Sequence, residues 1–168
     1  MREALIVVDM QNDFIDGSLG TKEAQLIVPN VANKIKEYKK AGKRVIFTRD
    51  THPENYLETY EGQHLPVTHC VENSTGWQIS DQLDLDTDQD IVIDKYTFGW
   101  LNWKNFGFKS VEICGLCTDI CVISNALIIR AAYPEIDITV DSNCCAGVTP
   151  ATHEAALATM KMCQIEVL

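Results

Sequence analysis

Positive charge is scarce in this 168-residue chain: 14 Lys and Arg stand against 24 Asp and Glu, a formal net charge of −10. Phosphate backbones and anionic headgroups are bound by clustered cations, so this balance argues against nucleic acid or a membrane surface as partner. Long apolar runs are also missing. None reaches the length that spans a bilayer, and the stretch behind Met1-Arg2-Glu3 is too short for a secretory leader. The expected location is therefore cytoplasmic. No repeat, low-complexity tract or linker interrupts the chain, so one domain over residues 1–168 is expected, long enough to bury a continuous core. An even set of cysteines is lacking too. There are seven, an odd number without a leader, which argues against a disulfide framework and for free thiols in a reducing compartment.

What is present is an alternation of periods. Residues 4–9 (ALIVVD), 44–50 (RVIFTRD), 90–95 (DIVIDK), 110–115 (SVEICG), 136–141 (IDITVD) and 164–168 (QIEVL) are short apolar runs of strand length. The first is continuous enough for a strand buried on both faces. Helical spacing predicts a helix over 30–41, with Val31, Ile35 and Tyr38 inward and Gly42 as its stop. Further helices are predicted over about 119–132 and over 152–162. Strands alternating with helices imply a doubly wound α/β domain on a parallel sheet. Residues 50–89, with Pro53, Gly62, Pro66 and Gly76, break the rhythm, and a long irregular insertion in a compact domain is often functional.

Ligands of open parallel sheets gather at the carboxyl ends of the strands. Those ends supply Asp9, Asp50, Lys95, the 115–121 turn and Asp141. Singly, each has a plain explanation: an Asp satisfying turn amides, a solvated Lys, a Cys packed as a small core residue. Together, Asp9, Lys95 and a thiol place a carboxylate, an ammonium and a nucleophile on one sheet edge. The stretch VEICGLCTDICV (111–122) offers three thiols. Cys114 lies inside a strand and is expected to be buried and inert, and Cys117 falls in the turn. Cys121 falls in the first turn of the next helix, with Thr118 or Asp119 as N-cap. There the helix terminus favours a thiolate and offers N–H groups to an oxyanion. A redox pair normally has its first Cys at a helix start rather than inside a strand, and a cluster would need a fourth ligand at workable spacing. Cys121 is the nucleophile candidate. A second constellation, Asp50, His52, His64 and His69, suits Zn²⁺ or another divalent ion. Asp50 and His52, two apart on an extended segment, point the same way. The histidines read equally well as satisfied polar groups.

The stretches ALIVVDMQNDF (4–14), TRDTHP (48–53), LPVTHCVENSTGW (65–77), DKYTF (94–98) and GLCTDICV (115–122) resemble, in order, the isochorismatase-like cysteine hydrolases, particularly nicotinamidases and related amidases. The resemblance implies a three-layer α/β/α fold, Rossmann-like, with a six-stranded parallel sheet in the order 3-2-1-4-5-6. It implies catalysis by Asp9, Lys95 and Cys121, a cis peptide joining Leu116 to Cys117, and an oxyanion hole from the backbone of Cys117 and Cys121. It further implies metal ligation, by zinc precedent, at Asp50, His52 and His69, leaving His64 outside, and a pocket position at Phe14. A homo-oligomer of two or more copies is part of the same expectation. Nicotinamidases carry a Trp-Pro pair before the His-Cys where this chain has Leu65-Pro66-Val67-Thr68. Trp100, Trp103 or Tyr96 then either refills the pocket or packs a partner subunit. The expected function is hydrolysis of a small carboxamide through a thioester, releasing ammonia, as in nicotinamide to nicotinate. The alternatives are a ureide or linear-amide hydrolase and a catalytically silent binding protein. Lys95, as a strand-end lysine, is expected to add little to stability, and the metal and thiol environments to stand on separate strand ends.

Overall fold

The computed structural model describes residues 2–168. Strand β1 (Arg2–Val8) leads through a short helix α1 (Asn12–Ile15) into the long helix α2 (Lys22–Lys40) and back to β2 (Arg44–Asp50). A segment with one short helix, α3 (Tyr60–His64), reaches β3 (Ile91–Lys95). The chain then alternates β4 (Phe108–Leu116), α4 (Ile123–Ala132), β5 (Asp137–Ala146), α5 (Pro150–Met162) and β6 (Glu166–Val167). All the strand pairs are parallel, and the order is β3-β2-β1-β4-β5-β6. The expected sheet and its order are therefore present. Helix α2 packs on β1, β2 and β5, while α4 and α5 pack on each other, completing the layers. Parallel strands covered on both faces must be apolar throughout, and Leu5, Ile6, Val7 and Val8 are fully buried.

The order reverses between β1 and β4, and that is where a crevice opens at the carboxyl edge. Close approach of the two strands depends on Gly115. Its φ is +118°, and a Cβ there would lie 2.1 Å from the Val8 carbonyl oxygen, so only glycine fits.

Several element boundaries differ from the sequence expectation. Helix α2 begins at Lys22 rather than 30, because Thr21 caps it by accepting the Ala24 N–H. Pro29 lies inside α2 on its exposed side, where water can satisfy the carbonyl that Pro leaves unpaired. Strand β5 runs on to Ala146, because its register against β4 jumps from Ile113↔Val140 to Gly115↔Cys145. The last strand shortens to Glu166–Val167. Finally, the predicted helix over 119–132 opens as one π-helical turn, Thr118–Val122, before α4. Gly42, at φ +66°, does end α2 in the left-handed conformation. Among the described residues no helix is long and apolar enough to cross a membrane.

Candidate active site

Asp9 follows β1 with φ +46°. Its N–H donates to the Thr48 carbonyl at 3.2 Å, and its Oδ1 accepts the Thr48 hydroxyl at 2.6 Å. Thr48 thus fixes the carboxylate, which is fully buried in the resting protein. Lys95 ends β3 in register with Asp50 at the end of β2. Its Nζ lies 2.6 Å from Asp9 Oδ2 and 3.1 Å from Asp50 Oδ1, donates to the Thr97 carbonyl, and reaches Cys121 Sγ at 3.5 Å. Asp9, Lys95 and Cys121 are all buried. The structure brings the three together, as their strand ends suggest. Lys95 is not the solvated strand-end lysine expected to add little to stability: it is 1% exposed and pairs with two buried carboxylates.

The electrostatics follow from that crowding. Burial opposes the charge of Lys95, but Asp9 first and Asp50 with it outweigh burial and hold the ammonium protonated. Desolvation pushes the Asp9 carboxyl up against the pull of Lys95. Asp50 is likewise buried, yet Lys95, His52 and His69 hold it well below the usual carboxylate range. Cys121 is pushed up, first by burial; Lys95 pulls it down, while Asp9 and Asp50 push it further up. The direction is opposite to the one that a helix terminus beside a lysine would by itself impose. Burial and two carboxylates win over one ammonium. Labelling order is consequently a poor guide to the nucleophile, since Cys163 at the end of α5 is the more accessible thiol.

Cys121 sits in the π turn after the cis Leu116–Cys117 peptide. Neither Thr118 nor Asp119 is the N-cap, which falls on Cys117 without a side-chain bond. Both side chains tie the turn outward instead: Thr118 Oγ1 pairs with His153 Nδ1 at 2.8 Å, and the Asp119 carboxylate accepts the Val148 N–H at 3.1 Å. Asn125 donates to the Cys121 carbonyl at 2.8 Å and accepts from the Trp100 N–H and Trp103 indole. It thereby couples the turn to the loop after β3. Cys114 is wholly buried, and burial pushes its thiol far up, the inert state its strand position implies.

The second constellation also assembles. One ligand atom from each of Asp50, His52, Glu61 and His69 lies within 4.8 Å of the others. His52 Nε2 is 2.9 Å from Asp50 Oδ2, and His69 Nε2 is 3.6 Å from the same oxygen. His69 Nδ1 donates to the Val67 carbonyl at 2.7 Å, which turns Nε2 inward as in ligating histidines. His64 stands apart, exposed, against Tyr60. Glu61 and Gln11 were not among the sequence candidates. Glu61 sits on α3 inside the irregular segment, where no period marks an inward face. Gln11 grips Asp50 at both backbone groups, accepting its N–H at 2.7 Å and donating to its carbonyl at 2.9 Å. The two constellations are not separate, because Asp50 gives one oxygen to Lys95 and the other to the imidazoles.

Both border one cavity of ≈ 300 Å³, with Cys117 and Cys121 on its wall beside Asp50, Glu61 and His69. Phe14 lines it and meets the His69 ring edge-on, centroids 5.4 Å apart. Trp100, Trp103 and Tyr96 do not. Trp103 is fully buried among Trp100, Phe106 and Phe108, and Tyr96 is 71% exposed. Leu65 and Phe98 occupy the cavity wall instead.

The isochorismatase family model, described as an isochorismatase domain, matches residues 3–168. The chain belongs to the isochorismatase family. Within it, a nicotinamidase of Schizosaccharomyces pombe is 29% identical, over 98% of this chain and 92% of that one. A pyrazinamidase of Pyrococcus horikoshii, solved in complex with zinc, is 31% identical over all of this chain and 99% of that one, with a TM-score of 0.88. An Arabidopsis thaliana relative named "Probable inactive nicotinamidase" is 27% identical over 94% of this chain and 87% of that one. This member of the isochorismatase family is thus nicotinamidase-related, a hydrolase of amide C–N bonds.

Proposed function

We propose that the protein hydrolyses a small aromatic carboxamide, in the manner of nicotinamide to nicotinate, with Cys121 as nucleophile. The observation that carries this reading is the shared cavity, which presents a thiol backed by Asp9 and Lys95 beside a ready group of metal ligands. Asp9 takes the Cys121 proton and Sγ attacks the carbonyl carbon. The backbone N–H groups of Cys117 and Cys121 hold the oxyanion. Asp9 returns the proton to the amide nitrogen, the C–N bond breaks, and ammonia leaves a thioester. Water, deprotonated by Asp9, then releases the acid and restores the thiol. Lys95 keeps its charge throughout and steadies both anions. A silent binding protein on the same fold has less need of a thiol, a base and a counter-ion in contact. Incubation with nicotinamide, pyrazinamide, a ureide and a linear amide under an ammonia readout tests the reading. Ammonia from none of them would refute it.

Asp50, His52 and His69, joined by Glu61, would hold zinc or another divalent ion, since two imidazoles and two carboxylates form the nitrogen–oxygen set such ions prefer. When bound, the ion supplies a Lewis acid that positions a ring nitrogen or carbonyl oxygen. Chelation is expected to weaken binding of pyridine carboxamides strongly. His52→Ala should reproduce this, and His64→Ala, at an exposed residue off the cluster, should not; titration calorimetry distinguishes them. The shared Asp50 revises one further expectation. Its charge pushes the Cys121 thiol up, so stripping a cation from Asp50 should slow alkylation of Cys121 severalfold, read by mass spectrometry of that peptide. An unchanged rate would mean that Asp50 does not couple the two groups.

A pH dependence follows from Asp9. Only its ionised form accepts the thiol proton, and burial raises its pKa. The value of kcat/KM should therefore fall with decreasing pH, at a midpoint above the ordinary carboxylate value of about 4. A profile flat down to pH about 4 would exclude Asp9 as the base.

A further inference from the structure

Polar chemistry is confined to one part of the cavity wall. Apart from Cys121 and the metal-ligand group, the lining is apolar: Leu19, Ala24, Leu116, Ile120, Phe98 and Val148 among others. The one hydroxyl there, Thr21 Oγ1, caps α2 by accepting the Ala24 N–H at 3.0 Å, which leaves the cavity a single O–H donor apart from the Cys121 and metal-ligand groups. A bare pyridine carboxamide would engage Cys121 and the Asp50–His69 group and leave much of ≈ 300 Å³ unfilled. Three lining side chains also remain partly in water: Leu65 is 37% exposed, Phe98 41% and Val148 51%. An apolar group on the substrate would remove that surface from water, whereas a polar one would lose its hydration with at most one hydroxyl in exchange.

We infer that the preferred substrate is a ring carboxamide bearing an alkyl or similar apolar substituent, which the Leu19–Ala24–Val148 wall receives. This deepens, and rests on, the amidase reading above. The substituent does no chemistry; it adds binding that is retained at the transition state and so raises kcat/KM.

The test is a series of nicotinamides with methyl, ethyl or propyl on each ring carbon in turn, plus the hydroxymethyl isostere of each ethyl compound, assayed for ammonia. For at least one ring position, kcat/KM should rise by about threefold or more per methylene. The hydroxymethyl compound should fall roughly tenfold below its ethyl counterpart. In Ala24→Phe, where the ring fills the wall, the propyl-to-nicotinamide ratio of kcat/KM should collapse toward unity. That ratio is independent of how much variant folds. Nicotinamide proving the best substrate of the series, or hydroxymethyl matching ethyl, would overturn the inference and leave the amidase reading standing. Absence of ammonia from every compound, nicotinamide included, would instead sink the amidase reading and this inference with it.

Discussion

Cys121→Ala is expected to lower kcat by at least about 10⁴-fold, because nothing else on the cavity wall replaces a nucleophile whose loss disables the whole unit. Cys117 is the nearest substitute in sequence, but burial and Asp119 push its thiol up to about 12, and its part in the reading is a backbone N–H. Circular dichroism and the urea midpoint should barely change, since Cys121 lines the open cavity and its truncation enlarges that space rather than leaving a new closed void. Cys114→Ala should behave oppositely. It keeps turnover and costs about 1 kcal/mol by opening a small cavity in a fully buried site. Activity assays on both variants, normalised to folded protein, check the pair. Retained turnover in Cys121→Ala would remove the thiol from the mechanism.

Lys95→Ala should lose both activity and stability. Removing the ammonium takes away the cation that faces buried Asp9, leaving it only the Thr48 hydroxyl while Asp50 keeps its imidazoles. Breaking a buried pair in this way costs roughly 3–5 kcal/mol. The sign of its pH dependence is fixed by the same contact. Without Lys95, desolvation and the neighbouring carboxylate raise the folded pKa of Asp9 further above its unfolded value. The protonated form is then the stable one in the fold. Stability of the variant relative to wild type should therefore be better at low pH and worsen as pH rises through the raised pKa. Urea unfolding of both proteins across the acid range checks it. A variant as stable as wild type at neutral pH would show that the Lys95 contacts contribute little.

The sheet was legible because its evidence is local. A continuous apolar run such as 4–8 suits a doubly covered strand, and alternation with helical spacing leaves a parallel α/β sheet as the economical solution. Asp9, Lys95 and Asp50 could be nominated for the same reason, since each stands where such a run ends. Two of the boundaries that differ were decided by non-local contacts. The β4–β5 register jump lengthens β5, and the turn at Thr118–Val122 is tied by His153 and Val148 rather than by a cap. Sequence spacing carries neither. The start of α2 is another matter, since the Thr21 cap on Ala24 is a local contact standing in the sequence ahead of Pro29.

The site divides in the same way. Residue chemistry alone determined that this chain has a carboxylate, a lysine and a thiol available at strand ends, and a cluster of aspartate and histidines between them. Only the tertiary structure decided that Lys95 lies within 2.6 Å of Asp9 and 3.1 Å of Asp50, that Glu61 joins the histidines, and that Gln11 holds Asp50 in place. It alone showed that burial and two carboxylates push the Cys121 thiol up, and that Leu65 and Phe98, not the tryptophans, line the cavity. The physical reason is range. Backbone periodicity is set by neighbours a few residues apart, whereas burial, charge pairing and pKa depend on groups brought together from distant parts of the chain.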